Sequence, residues 1–540
     1  MTIVGKETIK KFFGNIPYSA ELYWLFRQQG KPINRFSLQN LDKNLPEIVK
    51  HASQLRESSE PGKKIFVFAT LHYWIEHASL LSLALAAQGH NVTFGYLPFY
   101  EWRLPINRFD LRRQNIYAKK VLSKAEKLIN PVSFLSKRAP YVPLPQDLEE
   151  AVKEVSIFDS QYTDQIEDID PASEIYKLRH RRNRDTAQSL LAWLRSDKPD
   201  IVIVPNGTIM ELGICYRVSK YLKIPTITYE FGDQRNRFWI GQNSEIMRQN
   251  TDDLWKAKQD EELTQEKLEK VRELMISRQK ASLYENFSRL WQGIPTQGSE
   301  KTRKNLGLDD RPIVLLATNV LGDSLTLGRQ VFTKSMAEWI ERTVQYFVAR
   351  KDAQLVIRVH PGEIKSRGIS IVETIHKLLP ELPEHIKLIR PEEKINTYDL
   401  VEIADIGLVY TTTVGMEMAM SGIPTIVVGD THYRNRGFTI DPDSYVNYYK
   451  LLGSMLGDPS SFRLSQEKID LAWKYAYHFF FDYPKPFPWH LVRMWEDYKQ
   501  HKLPDSFNPE GLEVYGDSFR YLVGEPIDWS KKPENEGVLT

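Results

Sequence analysis

Cysteine is almost absent. Cys215 is the only one in 540 residues, which excludes an intramolecular disulfide and any multi-cysteine metal site and fits a reducing compartment. Long apolar runs are missing too. The longest, such as Leu80 to Ala87, fall far short of the roughly 20 residues needed to span a bilayer. The opening MTIVGKETIKKFFGNIPYSAELYW has no continuous apolar core of the kind a secretion signal carries, so a cytoplasmic protein is expected. Nor does one sign of charge dominate: 72 Lys and Arg face 70 Asp and Glu, for a net charge of +2. That balance gives no electrostatic footprint for nucleic acid. Asp-x-Asp triplets begin at Asp168 and Asp441, but neither directly follows a convincing strand, and no His, Cys or carboxylate cluster has metal-ligand spacing. No metal and no other cofactor is therefore expected.

Hydrophobic residues make up 41% and charged residues 26% of the chain, an ordinary globular composition, and the length exceeds what one core usually supports. One local charge bias stands out. Between Arg103 and Arg138 lie Arg108, Arg112, Arg113, Lys119, Lys120, Lys124, Lys127, Lys137 and Arg138. Two readings are open, a solvated helix face or peripheral contact with an anionic membrane surface or acidic acceptor.

Two series of alternating strand and helix patterns run along the chain. In the first, KKIFVFAT from Lys63 reads as a buried parallel strand. The Ala- and Leu-rich HYWIEHASLLSLALAAQGH follows as a helix closing at Gly89, and NVTFGYL is the next strand. PDIVIVPNGT, the helical MELGICYRVSKYLKI and PTITYEFG repeat the unit. Leu111 to Arg184, punctuated at PYVPLPQ, predicts helices laid over this sheet. Thr251 to Trp291 predicts long charged helices that end at GIPTQG, the expected interdomain connection. The second series starts at RPIVLLATNV. It continues through SMAEWIERTVQYFVARK, AQLVIRVHP, HIKLIR, YDLVEIA, DIGLVYTTT, VGMEMAMSG and IPTIVVGD. The expected organisation is an N-terminal extension over 1–60, a Rossmann-like domain with helical insertions over 61–300 and a second Rossmann-like domain over 301–460. Helices over 461–540, including RLSQEKIDLAWKYAYHFFF, are expected to pack back across the domains. The tail after Pro526 is polar.

Three segments in the second series carry chemistry. RVHPGE (358–363) and TTTVGMEMAMSGIPTIVVGD (411–430) each follow a strand, where open α/β sheets hold ligands; HYRNRGFT (432–439) comes next. Thr411, Thr412 and Thr413 precede a helix whose N-terminal end favours phosphate, and Gly415 permits close backbone approach. A plain helix cap is the alternative. Glu417 can accept from ribose hydroxyls or serve as a favourable helix-end charge. His360 can donate to a phosphate oxygen, with Arg358 one strand step away on the same face. Arg434 offers further positive charge. In the first series His72 and Glu76 follow one strand, Glu211 another, and Glu230 and Asp233 a third. Of these, Glu230, Asp233 and His72 are the candidate catalytic groups, because a base must reach the hydroxyl that it deprotonates.

The block TTTVGMEMAMSGIPTIVVGDTHYRNRGFT, with RVHP before it, resembles the C-terminal donor domain of bacterial capsule polysaccharide biosynthesis transferases. The match covers roughly residues 356–442 and is only architectural over 63–232. It implies a GT-B-like α/β fold, two Rossmann-like domains with parallel sheets facing a central cleft. It also implies a glycosyltransferase that moves a sugar from a nucleotide-activated donor, such as cytidine-monophosphate-linked Kdo, to a glycan or glycolipid acceptor. Donor-phosphate contacts are implied at His360 and around Thr411 to Thr413. The same elements also resemble teichoic-acid polyol-phosphate transferases, which use a cytidine-diphosphate polyol. A sugar-nucleotide epimerase and a noncatalytic nucleotide-binding or scaffold protein remain further alternatives. Stereochemistry, sugar and acceptor are left open by the sequence.

Overall fold

A computed structural model describes residues 3–28, 31–32, 35–135, 143–287 and 293–531. Lys137, Arg138, part of the PYVPLPQ stretch, the end of the Thr251 to Trp291 segment and the last residues of the tail lie outside them.

Two mainly parallel sheets form, one from each series. The first contains β1 (Lys64–Thr70), β2 (Asn91–Leu97), β3 (Ile129–Ser133), β4 (Ile201–Pro205), β5 (Thr226–Glu230) and β6 (Arg237–Gln242). The second contains β7 (Ile313–Ala317), β8 (Gln354–Arg358), β9 (Ile386–Ile389), β10 (Ile406–Val409) and β11 (Thr425–Val427). A short β12 (Lys485–Pro486) returns to the first sheet, whose order is β12-β6-β5-β4-β1-β2-β3; the second runs β11-β10-β7-β8-β9. β6 pairs antiparallel with β5, and β12 antiparallel with β6; the other pairings are parallel.

The chain divides into two compact units. One comprises residues 1–159, 170–247 and 485–540; the other comprises 160–169 and 248–484. The helices Asp252–Lys258 and Gln265–Gln279, expected to close the first domain, fall in the second unit. There Arg278 is buried against Glu417, and Thr251 hydrogen-bonds Tyr475 at 2.7 Å. The C-terminal stretch is split at Pro484: Gln466–Tyr477 belongs to the second unit, and everything from β12 onward to the first. Sequence reasoning missed β3, β6 and β12. β3 is the five-residue INPVS at a sheet edge, carrying a Pro where a central strand would not. β6 alternates buried and half-buried residues within a polar stretch.

In the second unit, alternate strand residues Val314, Leu316, Leu355, Ile357, Ile406 and Leu408 are fully buried with Trp339 and Phe347 of helix Met336–Val348. Each such side chain contributes about 1.5–3 kcal/mol on burial. That core fixes the strand ends, and with them the loops that follow. Gly89, expected to end the helix His72–Ala87, does take φ +90°, and a Cβ there would lie 1.9 Å from the Glu60 carbonyl oxygen.

Candidate functional site

In the second sheet the chain runs outward from β7 through β8 to β9, then returns to the other side of β7 as β10. The loops after β7 and β10 therefore leave in opposite directions, the switch point at which open α/β sheets place a ligand crevice. Three loops are knitted there. Thr318 Oγ1, after β7, accepts from the His360 backbone N–H at 3.0 Å, and Asn319 Oδ1 accepts from the Thr411 N–H at 3.2 Å. His360 is thus tied on one side and the threonine run on the other, both to the loop after the central strand. His360 Nδ1 accepts from the Gly362 N–H at 3.0 Å. Its proton therefore sits on Nε2, making that nitrogen a donor.

The threonine run is held at its backbone. The Thr412 carbonyl accepts from the Tyr433 hydroxyl at 2.5 Å. Thr411 Oγ1 is buried without a hydrogen-bond partner. Thr413 stands at the cap of helix Val414–Met420 yet makes no side-chain cap bond. The helix has only seven residues, so its dipole is short and the three loops matter more than the helix end. Gly415 serves packing: a Cβ there would meet the Tyr433 hydroxyl at 2.5 Å and Val409 Cγ2 at 2.6 Å. Glu417 is buried, its Oε1 bound by Arg278 and its Oε2 without a partner. Arg358 is buried as well. One terminal nitrogen donates to the Arg390 carbonyl at 2.9 Å, its Nε has no partner, and desolvation pushes its pKa down to about 10, so it stays charged at neutral pH.

Arg434 is placed differently from the phosphate-facing role expected of it. Both terminal nitrogens are spent on backbone carbonyls, those of Val427 and Pro442. It pins the loop after β11. Neither Asp-x-Asp triplet sits on a strand end: Asp168 lies in the 160–169 segment, and Asp441 accepts from the Asn435 N–H and Thr439 hydroxyl, each at 3.0 Å. Among the described residues no three His, Cys, Asp or Glu side chains gather as a metal site. Sequence reasoning missed Thr318, Asn319, Tyr433 and Arg278. The TN pair ending RPIVLLATNV was a readable signal, since it follows a strand as HP and TTT do; Arg278 had none.

In the first sheet the corresponding switch lies between β1 and β4. Its helix start is internally satisfied. Asn206, at φ 60°, accepts from the Thr208 N–H at 3.1 Å and the Ile209 N–H at 3.2 Å, while Asp159 accepts from Met210 N–H. Glu211 is committed to a buried ion triad, with Arg179 3.0 Å from both Glu211 and Asp159. Glu76 likewise accepts from the Leu41 N–H at 3.2 Å and the Trp495 indole at 2.9 Å, which ties helix Gln39–Arg56 to helix His72–Ala87. These two carboxylates are structural. Glu230, at the end of β5, is only partly buried. It accepts from Asn206 Nδ2 at 3.0 Å and from the Phe231 N–H at 3.1 Å, and desolvation, exceeding both bonds, raises its pKa to about 7. A carboxylate tuned to that range suits a general base near neutral pH. His72 begins the helix after β1; burial lowers its pKa, so it is neutral, and its Nδ1 has no partner. Asp233 lies in the loop before β6, near enough to His490 to favour that ring's charged form.

No protein-family model and no curated protein matches the sequence. Among solved structures, the chain is similar to Thermosulfurimonas dismutans KpsC, a beta Kdo 2,4 transferase, at 17% identity over 54% of this chain and 82% of that one, with a TM-score of 0.36. It is similar to Neisseria meningitidis UDP-GlcNAc 2-epimerase bound to UDP-GlcNAc at 14% identity over 78% and 99%, with a TM-score of 0.24. A glycotransferase of kitacinnamycin gives 12% identity over 82% and 99%, with a TM-score of 0.25. Scores this low carry no argument about activity. The α/β architecture rests on the two sheets themselves.

Proposed function

We propose that the chain is a glycosyltransferase of bacterial surface or capsule polysaccharide synthesis that takes a nucleotide-activated sugar, with a cytidine nucleotide preferred. One observation carries the reading: at the switch point of the second sheet the loops that carry His360 and the threonine run are both tied to the loop after the central strand. Preorganised donors stabilise negative charge as it develops on a departing phosphate. In this reading His360 and Thr411 to Thr413 hold the donor phosphates, Arg358 adds buried positive charge, and Glu230 removes the proton of the acceptor hydroxyl. His72 and Asp233 are the neighbouring candidates for that step. No metal is required, because protein groups supply the charge. The acceptor is a glycan or glycolipid. The cytidine preference rests on the sequence resemblance alone, since phosphate recognition is blind to the base.

The test is ligand-induced thermal stabilisation with CMP-, CDP-, UDP- and GDP-linked sugars and a CDP-polyol, followed by transfer assays with and without a chelator. A ligand at 100 times its Kd stabilises by about 2.7 kcal/mol. Protection by CMP- or CDP-sugars supports the reading. Protection by UDP- or GDP-sugars alone removes the cytidine preference, and by a CDP-polyol alone assigns polyol-phosphate transfer. Absence of protection by all of them, with the protein folded, leaves a noncatalytic scaffold. Loss of transfer on chelation refutes metal independence.

A further inference from the structure

The helices at the start of the chain are built inside out. Helix Ile3–Asn15 turns its polar and small residues toward helix Arg108–Leu122. Glu7 accepts from Asn107 Nδ2 at 3.2 Å, Lys10 pairs with Asp110 at 2.8 Å, and a Cβ on Gly14 would lie 2.9 Å from the Phe109 nitrogen. Its apolar line is Ile9, Phe12, Phe13 and Ile16, the i, i+3, i+4, i+7 spacing that normally faces a core. Here these side chains are 43%, 66%, 42% and 37% exposed. The next two segments, Ser19–Tyr23 and Trp24–Gln28, repeat the pattern. Glu21 pairs with Arg112, and Gln28 Oε1 accepts from Arg113 Nε at 2.8 Å. Outward, Leu22, Leu25 and Phe26 are 53%, 60% and 75% exposed. Phe13 and Tyr23 also rest on Phe109, with ring centroids 6.2 and 5.4 Å away; singly exposed apolar residues are ordinary, but a contiguous apolar face that stays this exposed over such contacts marks an interaction surface.

Charge identifies the partner. Residues 7–28 and 108–122 hold eight Lys or Arg against three Asp or Glu, within a chain that is close to neutral overall. Lys10, Arg112 and Arg113 are used in the inward pairs, whereas Lys11, Arg27, Arg108, Lys119 and Lys120 are exposed. A second copy of the chain docked on this face would bring like charges together; an anionic lipid surface would neutralise them. No helix among the described residues is long and apolar enough to cross a membrane, so contact would lie in the plane of the interface, as amphipathic helices with aromatic and basic residues do. We propose that the face running from Ile9 to Phe26, rimmed by these cations, docks the protein on an anionic lipid surface. The inference is independent of the donor reading, and it gives the basic stretch from Arg103 the membrane alternative over the solvated one.

The experiment is vesicle flotation of the full chain with phosphatidylcholine alone and with equal parts of phosphatidylcholine and phosphatidylglycerol. Two variants accompany it: Phe12→Glu with Phe26→Glu, which removes the apolar contact, and Lys11→Glu with Arg27→Glu, which reverses charge and leaves the aromatics. All four positions are exposed, so unfolding temperatures should match the parent protein. The parent should float with the anionic vesicles and be released by salt, and each variant should partition less, on the order of tenfold. Equal binding to neutral vesicles overturns the anionic assignment. Undiminished binding by both variants overturns the location. A dimer lost in the Phe12 and Phe26 variant, without vesicle binding by the parent, assigns the face to a second copy and overturns the proposal.

Discussion

The parallel cores of the two sheets share a strand order, although the first adds antiparallel β6 and β12, and they differ in what their switch points offer. After β4, the turn at Asn206 is complete in itself: the amide oxygen takes two backbone N–H groups, Asp159 takes a third, and Arg179 pairs with both Glu211 and Asp159. After β10, Thr413 makes no cap bond and Thr411 Oγ1 has no partner, while neighbouring loops supply a histidine donor. The first edge carries the buried Asp159–Arg179–Glu211 triad, with Glu230, raised to about 7, at its rim; the second combines Arg358, the His360 ring and threonine hydroxyls with Glu363, also raised to about 7. A shared parallel strand order therefore ends, in one unit, in a turn whose backbone groups are satisfied and, in the other, in a threonine run without a cap bond, and the difference lies in the side chains of the flanking loops.

The largest expected effect separates the two edges by role. Glu230→Gln should lower kcat about 10²- to 10⁴-fold, the usual contribution of a general base, with donor-induced stabilisation unchanged. In the parent protein, kcat/KM should rise with pH through about 7, where desolvation places the Glu230 carboxyl. The sign for stability is opposite. A raised carboxyl pKa weakens the fold as pH rises from the unfolded value near 4.5 through about 7, so the variant should lose the Glu230 share of that dependence and keep the share of Glu363, which burial also raises to about 7. A pH profile unchanged by the substitution removes Glu230 as the base.

His360→Ala probes the other edge with a smaller effect. Loss of one hydrogen bond to a charged group, about 1.5–3 kcal/mol, corresponds to roughly 10- to 150-fold weaker donor binding, measured by calorimetry, with the unfolding midpoint held. Unchanged affinity in a folded variant defeats the donor assignment.

The smallest effect sharpens the contrast most directly. Asn206→Ala removes two side-chain bonds to the turn N–H groups of Thr208 and Ile209 and should cost about 1 kcal/mol of stability, whereas Thr413→Ala removes no cap bond and should cost under about 0.5 kcal/mol. Denaturant midpoints measure both, and equal losses would erase the distinction between the edges.

Much of this was legible before folding. Alternating strand and helix patterns placed β1, β2, β4, β5 and every strand of the second sheet. Position after a strand singled out His360, Thr411 to Thr413 and Glu230, because a parallel sheet sends its loops to one edge whatever the side chains do there. What the sequence alone determined was this periodicity and the chemistry available at each strand end. It could not tell which partners each of these groups meets. Arg434 and Glu211 look as serviceable as His360 and Glu230, yet one is spent on the carbonyls of Val427 and Pro442 and the other on Arg179. Only tertiary structure decided that, since these partners lie up to 32 residues away or across a loop. The inverted helices at the chain's start show the same limit. Their stripe has the spacing of a core-facing helix, and the contacts beneath them, polar ones to Asn107, Asp110, Arg112 and Arg113 and ring contacts of Phe13 and Tyr23 with Phe109, leave most of it outward. Local pattern follows from chain geometry, whereas the side of a helix that is buried depends on which surface, elsewhere in the chain, is there to meet it.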